Sequence, residues 1–348
     1  MSADSPSRRG VLAGGNWIID HVKLIDAWPP QDSLADIIDR STGNGGSPYN
    51  VLKNLALLRA PFPRAGIGLV GDDADGRRIL GDCRAHGIDL TQLQVTADAP
   101  TSYTDVMTVR DTGRRTFFHD RGANARLAPG HFDFGAARAK HFHLGYLLLL
   151  DALDAAGADG RPGAAEVLAR ARAAGMRTSV DCVSARAERF ATTVAPVLPE
   201  VDVLFVNDYE AEQLTGLALG RGAALNRAAV ERAARALLAR GVREWAVIHF
   251  PEGAVAASAA GEIIWQPGVQ VPAAEIRGAA GAGDAFVAGV LYGLHEAWPM
   301  AKALELGVAA GAASLRHPTC SGSVVAADEC LALARTLGFR PALPAADP

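Results

Sequence analysis

The sequence predicts a three-layer α/β domain built on a mostly parallel sheet. Short β-branched runs alternate along it with alanine- and arginine-rich helical stretches, the rhythm of crossover-connected parallel strands. The chain has 348 residues, 49% of them hydrophobic and 21% charged, enough apolar content to close such a core. No internal repeat or low-complexity linker divides it, so residues 1–348 read as one domain.

In chain order, the run at 65–71 reads as a strand, and the segment after it as a helix that stops at Gly87. A strand at 140–150 precedes a helix near 161–175. Further strands at 177–183, 201–207 and 244–250 are separated by helical segments, and from Gly283 onward helix dominates. Two segments, about 20–45 and 98–124, break the rhythm. In the second, Tyr103, Asp105, Met107 and Val109 alternate up to a turn at Asp111, Thr112 and Gly113, and Thr116, Phe117 and Phe118 return as a hairpin. Strands inserted here form either a small sheet covering a site or an edge decoration of the main one.

Composition excludes several classes. The 34 basic residues against 38 acidic ones argue against nucleic acid or an anionic membrane as partner. Just four of the basic residues are lysines (Lys23, Lys53, Lys140 and Lys302), so the arginines reflect a compositional bias. No apolar run approaches the ~18 residues of a membrane-spanning helix, and Met1 to Gly10 lacks a signal-peptide core. Cys83, Cys182, Cys320 and Cys330 are scattered, without the spacing of a disulfide framework or zinc cluster, so a cytoplasmic protein is expected.

Three segments can carry chemistry. Gly281, Ala282, Gly283 and Asp284 run small residues into a helix, whose first N–H groups and dipole stabilise an anion. A carboxylate there can accept a proton from an attacking hydroxyl; equally, Asp284 can be the helix N-cap. Gly45 and Gly46 allow a ligand close to the backbone, with Asn50 in the first turn of the next helix, or else form an ordinary turn. Asn207 and Glu210 end a strand, where α/β sheets bind ligands, at a spacing that suits a hydrated Mg²⁺ or a capping box. The G-x-G-x-x-G at 66–71 lies inside a strand and is not a dinucleotide loop. His141 and His143 share a strand face without a third ligand, and read as strand-edge histidines.

In this order the segments resemble the ribokinase-like (PfkB) family of carbohydrate and nucleoside kinases, over roughly residues 10–335. The resemblance rests on GGNWIID (14–20), Gly45-Gly46 with Asn50, GLVGDDADG (68–76), RGAN (121–124), HLGYLL (143–148), NDYE (207–210) and GAGDAFVAG (281–289). It implies a ribokinase-like α/β/α fold with a small β lid from about 20–45 and 98–124. It also implies ATP-dependent phosphorylation of a hydroxymethyl group on a small sugar, with a nucleoside as the alternative acceptor. Asp284 then corresponds to the base, and Gly281, Ala282 and Gly283 to the anion hole. Asp20, Gly45, Gly46 and Asn50 correspond to the substrate site, and Asn207 and Glu210 to the Mg²⁺ and phosphate element, with Glu210 reaching the metal through water. Phe117, Phe118 or Trp17 would stack on a nucleoside base, and pairing of lids would give a homodimer.

Two departures stand out. The family's Asp-Thr-x before Gly-Ala-Gly-Asp is Gly278-Ala279-Ala280 here, and its nucleotide segment after the strand at 244–250 is replaced by His249 to Gly253. The first removes the carboxylate that helps hold K⁺, so turnover indifferent to K⁺ is expected. Together they also admit a catalytically silent binding protein of the same fold.

Overall fold

The computed structural model describes residues 8–344; residues 1–7 of the polar N-terminal segment lie outside them. In chain order the elements are β1 (Val11–Gly15), β2 (Ile18–Ile25), β3 (Ile37–Gly45), α1 (Ser47–Leu57), β4 (Arg64–Gly71), α2 (Ala74–Ala85), β5 (Asp89–Thr96), β6 (Ser102–Val109) and β7 (Arg115–Asp120). Next come β8 (His141–Leu147), the single turn α3 (Asp151–Asp154), α4 (Gly163–Ala173), β9 (Arg177–Cys182), β10 (Val203–Asn207), α5 (Asp208–Thr215) and α6 (Arg227–Ala239). The chain then forms β11 (Trp245–Phe250), β12 (Gly253–Ser258), β13 (Ile263–Pro267), α7 (Ala282–His295), α8 (Met300–Ser314) and α9 (Ala327–Leu337).

Nine strands form the central sheet, ordered β13-β12-β11-β10-β9-β8-β1-β4-β5 and parallel except at β12 and β13. Its strands are apolar on both faces because helices cover both. In β10, Leu204 and Val206 join one core with α4 and α6 residues, while Val203 and Phe205 join the other with α1, α7 and α8 residues. The antiparallel β12–β13 hairpin was not anticipated; its alanines and Gly253 carry little β-propensity, and neighbouring strands supply the order.

The interrupting segments form a separate four-stranded sheet, ordered β3-β2-β6-β7. The expected early strand through 14–20 is two strands: β1 stays in the central sheet, the chain turns at Asn16 and Trp17, and β2 carries Asp20 into the small sheet. Asn124 clamps this break, accepting from the Trp17 N–H and donating to its carbonyl, both at 3.2 Å. Asp73 caps α2 through the Gly76 N–H at 2.7 Å and also binds the Thr101 N–H at 2.7 Å, which fixes where β6 begins. The hairpin turns where expected, with Ser102, Thr104 and Val106 facing inward. Trp17 is fully buried, its indole donating to the Ile67 carbonyl at 2.8 Å, so it cannot stack on a ligand. His141 and His143 are not at an edge; they are buried in β8, between β1 and β9.

Candidate active site

Two cavities flank the segment 276–283. The larger, about 730 Å³, lies against the small sheet and is lined by Asp20, Asn44, Arg115 and Cys320 among others. The second, about 460 Å³, lies between the ends of β10 and β11 and helices α7 and α8, and includes Asn207, His249, Ala282, Gly283 and Phe286. Ile276 and Ala279 line both.

Asp284 is not an N-cap. The cap position belongs to Gly281, whose φ of 75° favours glycine and whose Cβ would lie 2.7 Å from the Cys320 Cα. Asp284 sits in the first turn of α7, buried. Among the described residues, the N–H groups of Gly281, Gly283 and Asp284 donate to no protein acceptor, and that of Ala282 only reaches the Ala279 carbonyl at 3.4 Å. Gly281, Ala282 and Gly283 are partly exposed, so these amides can meet an anion.

The Asp284 carboxylate accepts from the Asn50 amide at 2.7 Å, and from the Tyr146 hydroxyl at 2.7 and 2.6 Å. Burial, followed by the neighbouring Asp181 charge, pushes it up to about 8, well above the usual carboxylate range; the Tyr146 and Asn50 hydrogen bonds act the other way. Asn50 does not face the cavity: its amide oxygen accepts from Asn44 at 2.6 Å, and Asn44 lines the cavity instead. Gly46, with φ 83°, turns the chain into α1 against the Asn16 carbonyl, and Gly45 leaves room for Asp20, whose Oδ1 would be 2.5 Å from a Cβ there. Burial pushes Asp20 up to about 7, opposed by hydrogen bonds from Cys320 and Thr104 and by the Arg115 charge.

Asn207 and Glu210 form the capping box of α5: Asn207 Oδ1 accepts from the Glu210 N–H at 2.9 Å, and Glu210 Oε2 from the Asn207 N–H at 2.9 Å. Glu210 Oε1 also accepts from Ser184 at 3.0 Å and from the Asn207 amide at 2.9 Å, and burial pushes the carboxyl up to about 7. Among the described residues no three His, Cys, Asp or Glu side chains gather as a resident metal site would.

Sequence reasoning missed Tyr146, Asn44, Arg115 and the buried Ser47, His143 and Asp181. Ser47 donates to Asp181 at 2.9 Å and meets His143 Nε2 at 3.0 Å. Among the described residues, the buried Asp181 Oδ1 has no hydrogen-bond partner. Both Tyr146 and Asp181 lie toward the carboxyl ends of parallel strands, the position that marks ligand sites in this architecture, so that rule was the available signal.

The chain matches the pfkB family carbohydrate kinase description over residues 15–327. It is 30% identical to the ATP-dependent ribose-1-phosphate kinase of Halopiger xanaduensis, over 87% of this chain and 90% of that protein. Its fold is similar to the ribokinase of Arabidopsis thaliana complexed with ribose and ATP, with a TM-score of 0.74 and 19% identity over 94% of this chain and 99% of that one. It is also similar to the nucleoside kinase of Burkholderia thailandensis in complex with inosine, with a TM-score of 0.72 and 20% identity over 95% and 100%.

Proposed function

The chain belongs to the pfkB family of carbohydrate kinases, and we propose that it transfers the γ-phosphoryl group of ATP to a hydroxymethyl group of a small sugar. One observation carries this reading. A buried carboxylate, Asp284, stands in the first turn of a helix whose leading N–H groups are free, beside the segment that two cavities share. In-line transfer needs a base, an anion hole and one chamber on each side.

We assign Asp284 as the base and the amides of Gly281, Ala282 and Gly283 as the anion hole. Asp20 and Asn44 bind sugar hydroxyls; Asn50, with Gly45 and Gly46 shaping the wall, supports the site from behind. ATP occupies the 460 Å³ cavity and brings Mg²⁺ with it. Glu210 Oε2 is committed to the α5 cap and Oε1 to Ser184 and the Asn207 amide, so Glu210 serves the ion through water and Asn207 lies beside the phosphates. The small sheet acts as the lid of the single domain. The outward Trp28 and Phe118 rings, stacked 6.2 Å apart, with exposed Ile37 and Ile38, support pairing of two lids in a homodimer. Light scattering is expected to report a dimer at micromolar concentration; a monomer counts against the pairing. No helix among the described residues is long and apolar enough to cross a membrane, and the four cysteines are buried and free, which supports a cytoplasmic setting.

A sugar is favoured over a nucleoside because no aromatic side chain lines the acceptor cavity among the described residues. The test is ADP release with Mg-ATP across pentoses, hexoses, polyols, their phosphates and nucleosides. Turnover on a sugar supports the reading, turnover on nucleosides alone replaces it, and no turnover on any acceptor overturns it.

A further inference from the structure

We propose that Arg340 reads the base of the phosphoryl donor, so that the site takes GTP at least as well as ATP. This rests on the kinase reading above and names the donor class of the same site.

Arg340 lies just beyond α9 and lines the 460 Å³ cavity. Its N–H donates to the Gly268 carbonyl at 2.7 Å, and Phe339 bridges to Val269, so the main chain fixes its place. Its side chain is left unmatched: the guanidinium Nε is buried and has no hydrogen-bond partner among the described residues. The acid that lines this cavity, Asp208, pairs with Arg221 at 3.1 Å instead. A guanidinium with a buried N–H and no carboxylate is satisfied when a ligand brings the acceptor.

Strand register decides which part of the nucleotide supplies that acceptor. Asn207, beside the phosphates, is paired with His249, His249 with Ala254, and Ala254 with Gln266. Gly268, just past Gln266, is therefore three inter-strand spacings from Asn207, roughly 14 Å. Gly283 of the anion hole stands against His249, whose ring would lie 3.3 Å from a Cβ there. The phosphates are thus held over β10 and β11, and Arg340 stands past β13, at the end that receives the base. The other residues lining that end, Gly253, Gly268, Val269 and Val271, have no polar side chain.

A fork that only donates discriminates between purines. Guanine presents O6 and N7 side by side and accepts two parallel N–H bonds. Adenine sets its 6-amino donor beside N7 and accepts just one. Pyrimidines have no N7 edge. The transfer is the same with either donor. The acceptor hydroxyl oxygen bonds to the γ-phosphorus, and the bond to the β,γ-bridging oxygen breaks, its electron pair leaving on GDP or ADP. The hydroxyl proton passes to Asp284.

Isothermal titration calorimetry with Mg-ADP, Mg-GDP, Mg-IDP and Mg-CDP tests this without an acceptor sugar. GDP should bind at least as tightly as ADP. IDP, which keeps O6 and N7 but lacks the 2-amino group, should match GDP, and CDP should bind about tenfold more weakly. Arg340→Gln should weaken GDP and IDP about tenfold and favour ADP, because a glutamine amide pairs with adenine N6 and N7. Arg340→Lys, which keeps the charge without the fork, should also lose the preference for GDP. The main-chain bond to Gly268 survives both substitutions, so both variants should melt as the natural protein does. ADP bound tenfold more tightly than GDP leaves the kinase standing and overturns this inference. So does GDP bound without IDP, or a variant that weakens ADP and GDP alike. Binding of no nucleotide overturns both.

Discussion

The two cavities beside residues 276–283 are built from different material. The nucleotide side is walled by the central framework: the ends of β10 and β11, and apolar groups such as Phe286, Val308 and Leu315 from α7, α8 and just beyond. The acceptor side is walled largely by the inserted small sheet, which brings charged side chains such as Asp20, Asp39, Arg40 and Arg115 among apolar ones. The apolar chamber suits a flat base and is continuous with the core, so altering it disturbs packing. The charged chamber rests on strands outside the central sheet, where residues can change with little effect on the framework. Under the proposed kinase reading, selectivity for the acceptor resides in the part of the molecule that the core constrains least.

The strongest way to break this division is at the junction. Asp284→Asn keeps the shape but removes the base, and should cost ~10² or more in kcat. Because folding raises the pKa of Asp284, the ionised carboxylate opposes folding. That cost is absent below about pH 4 and grows as pH rises toward about 8. Thermal melts should therefore show Asp284→Asn gaining on the natural protein as pH rises from 5 to 8. Unfolding of the variant with specific activity intact would reject the base assignment.

The chambers can then be separated by paired variants. Asp20→Asn should raise the KM for the acceptor about tenfold, by loss of charge-assisted bonds, with the KM for ATP nearly constant. Ala312→Phe, which fills the nucleotide chamber, should do the reverse by a similar factor. Initial-rate matrices in both substrates read the two effects; parallel changes in both constants would show that the chambers are not independent.

A smaller effect concerns the pH profile. The base must be ionised, so kcat/KM should rise with pH up to the Asp284 pKa, raised by burial, and then level. The Tyr146 hydroxyl stabilises the ionised form, so Tyr146→Phe should move the inflection to higher pH by up to about one unit. An inflection that stays in place or falls would remove Tyr146 from the site.

The smallest expected effect is that of K⁺. A Cβ on Gly278 would meet the His317 carbonyl at 2.9 Å and the Pro318 Cα at 3.1 Å, so a carboxylate at this position has no room without backbone movement. Rates in potassium, sodium and a bulky organic cation at equal ionic strength should agree within about twofold; a tenfold stimulation, ~1.4 kcal/mol in the barrier, would reject this.

Local patterns made much of the molecule legible. The runs at 65–71, 177–183, 201–207 and 244–250 are β4, β9, β10 and β11, because strands buried on both faces must be apolar throughout. The small residues at 281–283 run into α7 as their composition requires. The spacing of Asn207 and Glu210 makes a capping box whatever else it does, since both groups lie within one turn. Each of these depends on residues close together in the chain.

Long-range contacts decided the rest. Nothing within 14–20 shows that the chain leaves the central sheet after Gly15; pairing of β2 with β3 and β6 does that. Asn50 binds Asp284 across 234 positions, and Tyr146 reaches it across 138, distances over which sequence pattern carries no register. The arginines of the acceptor chamber look like compositional bias in the sequence, and become a group only where β3, β7 and the segment before α7 converge. Propensity and capping act within a turn or a strand, so the sequence alone determined the elements and the helix start that holds Asp284. Which distant side chains share a cavity is a property of packing, and there the tertiary structure alone decided.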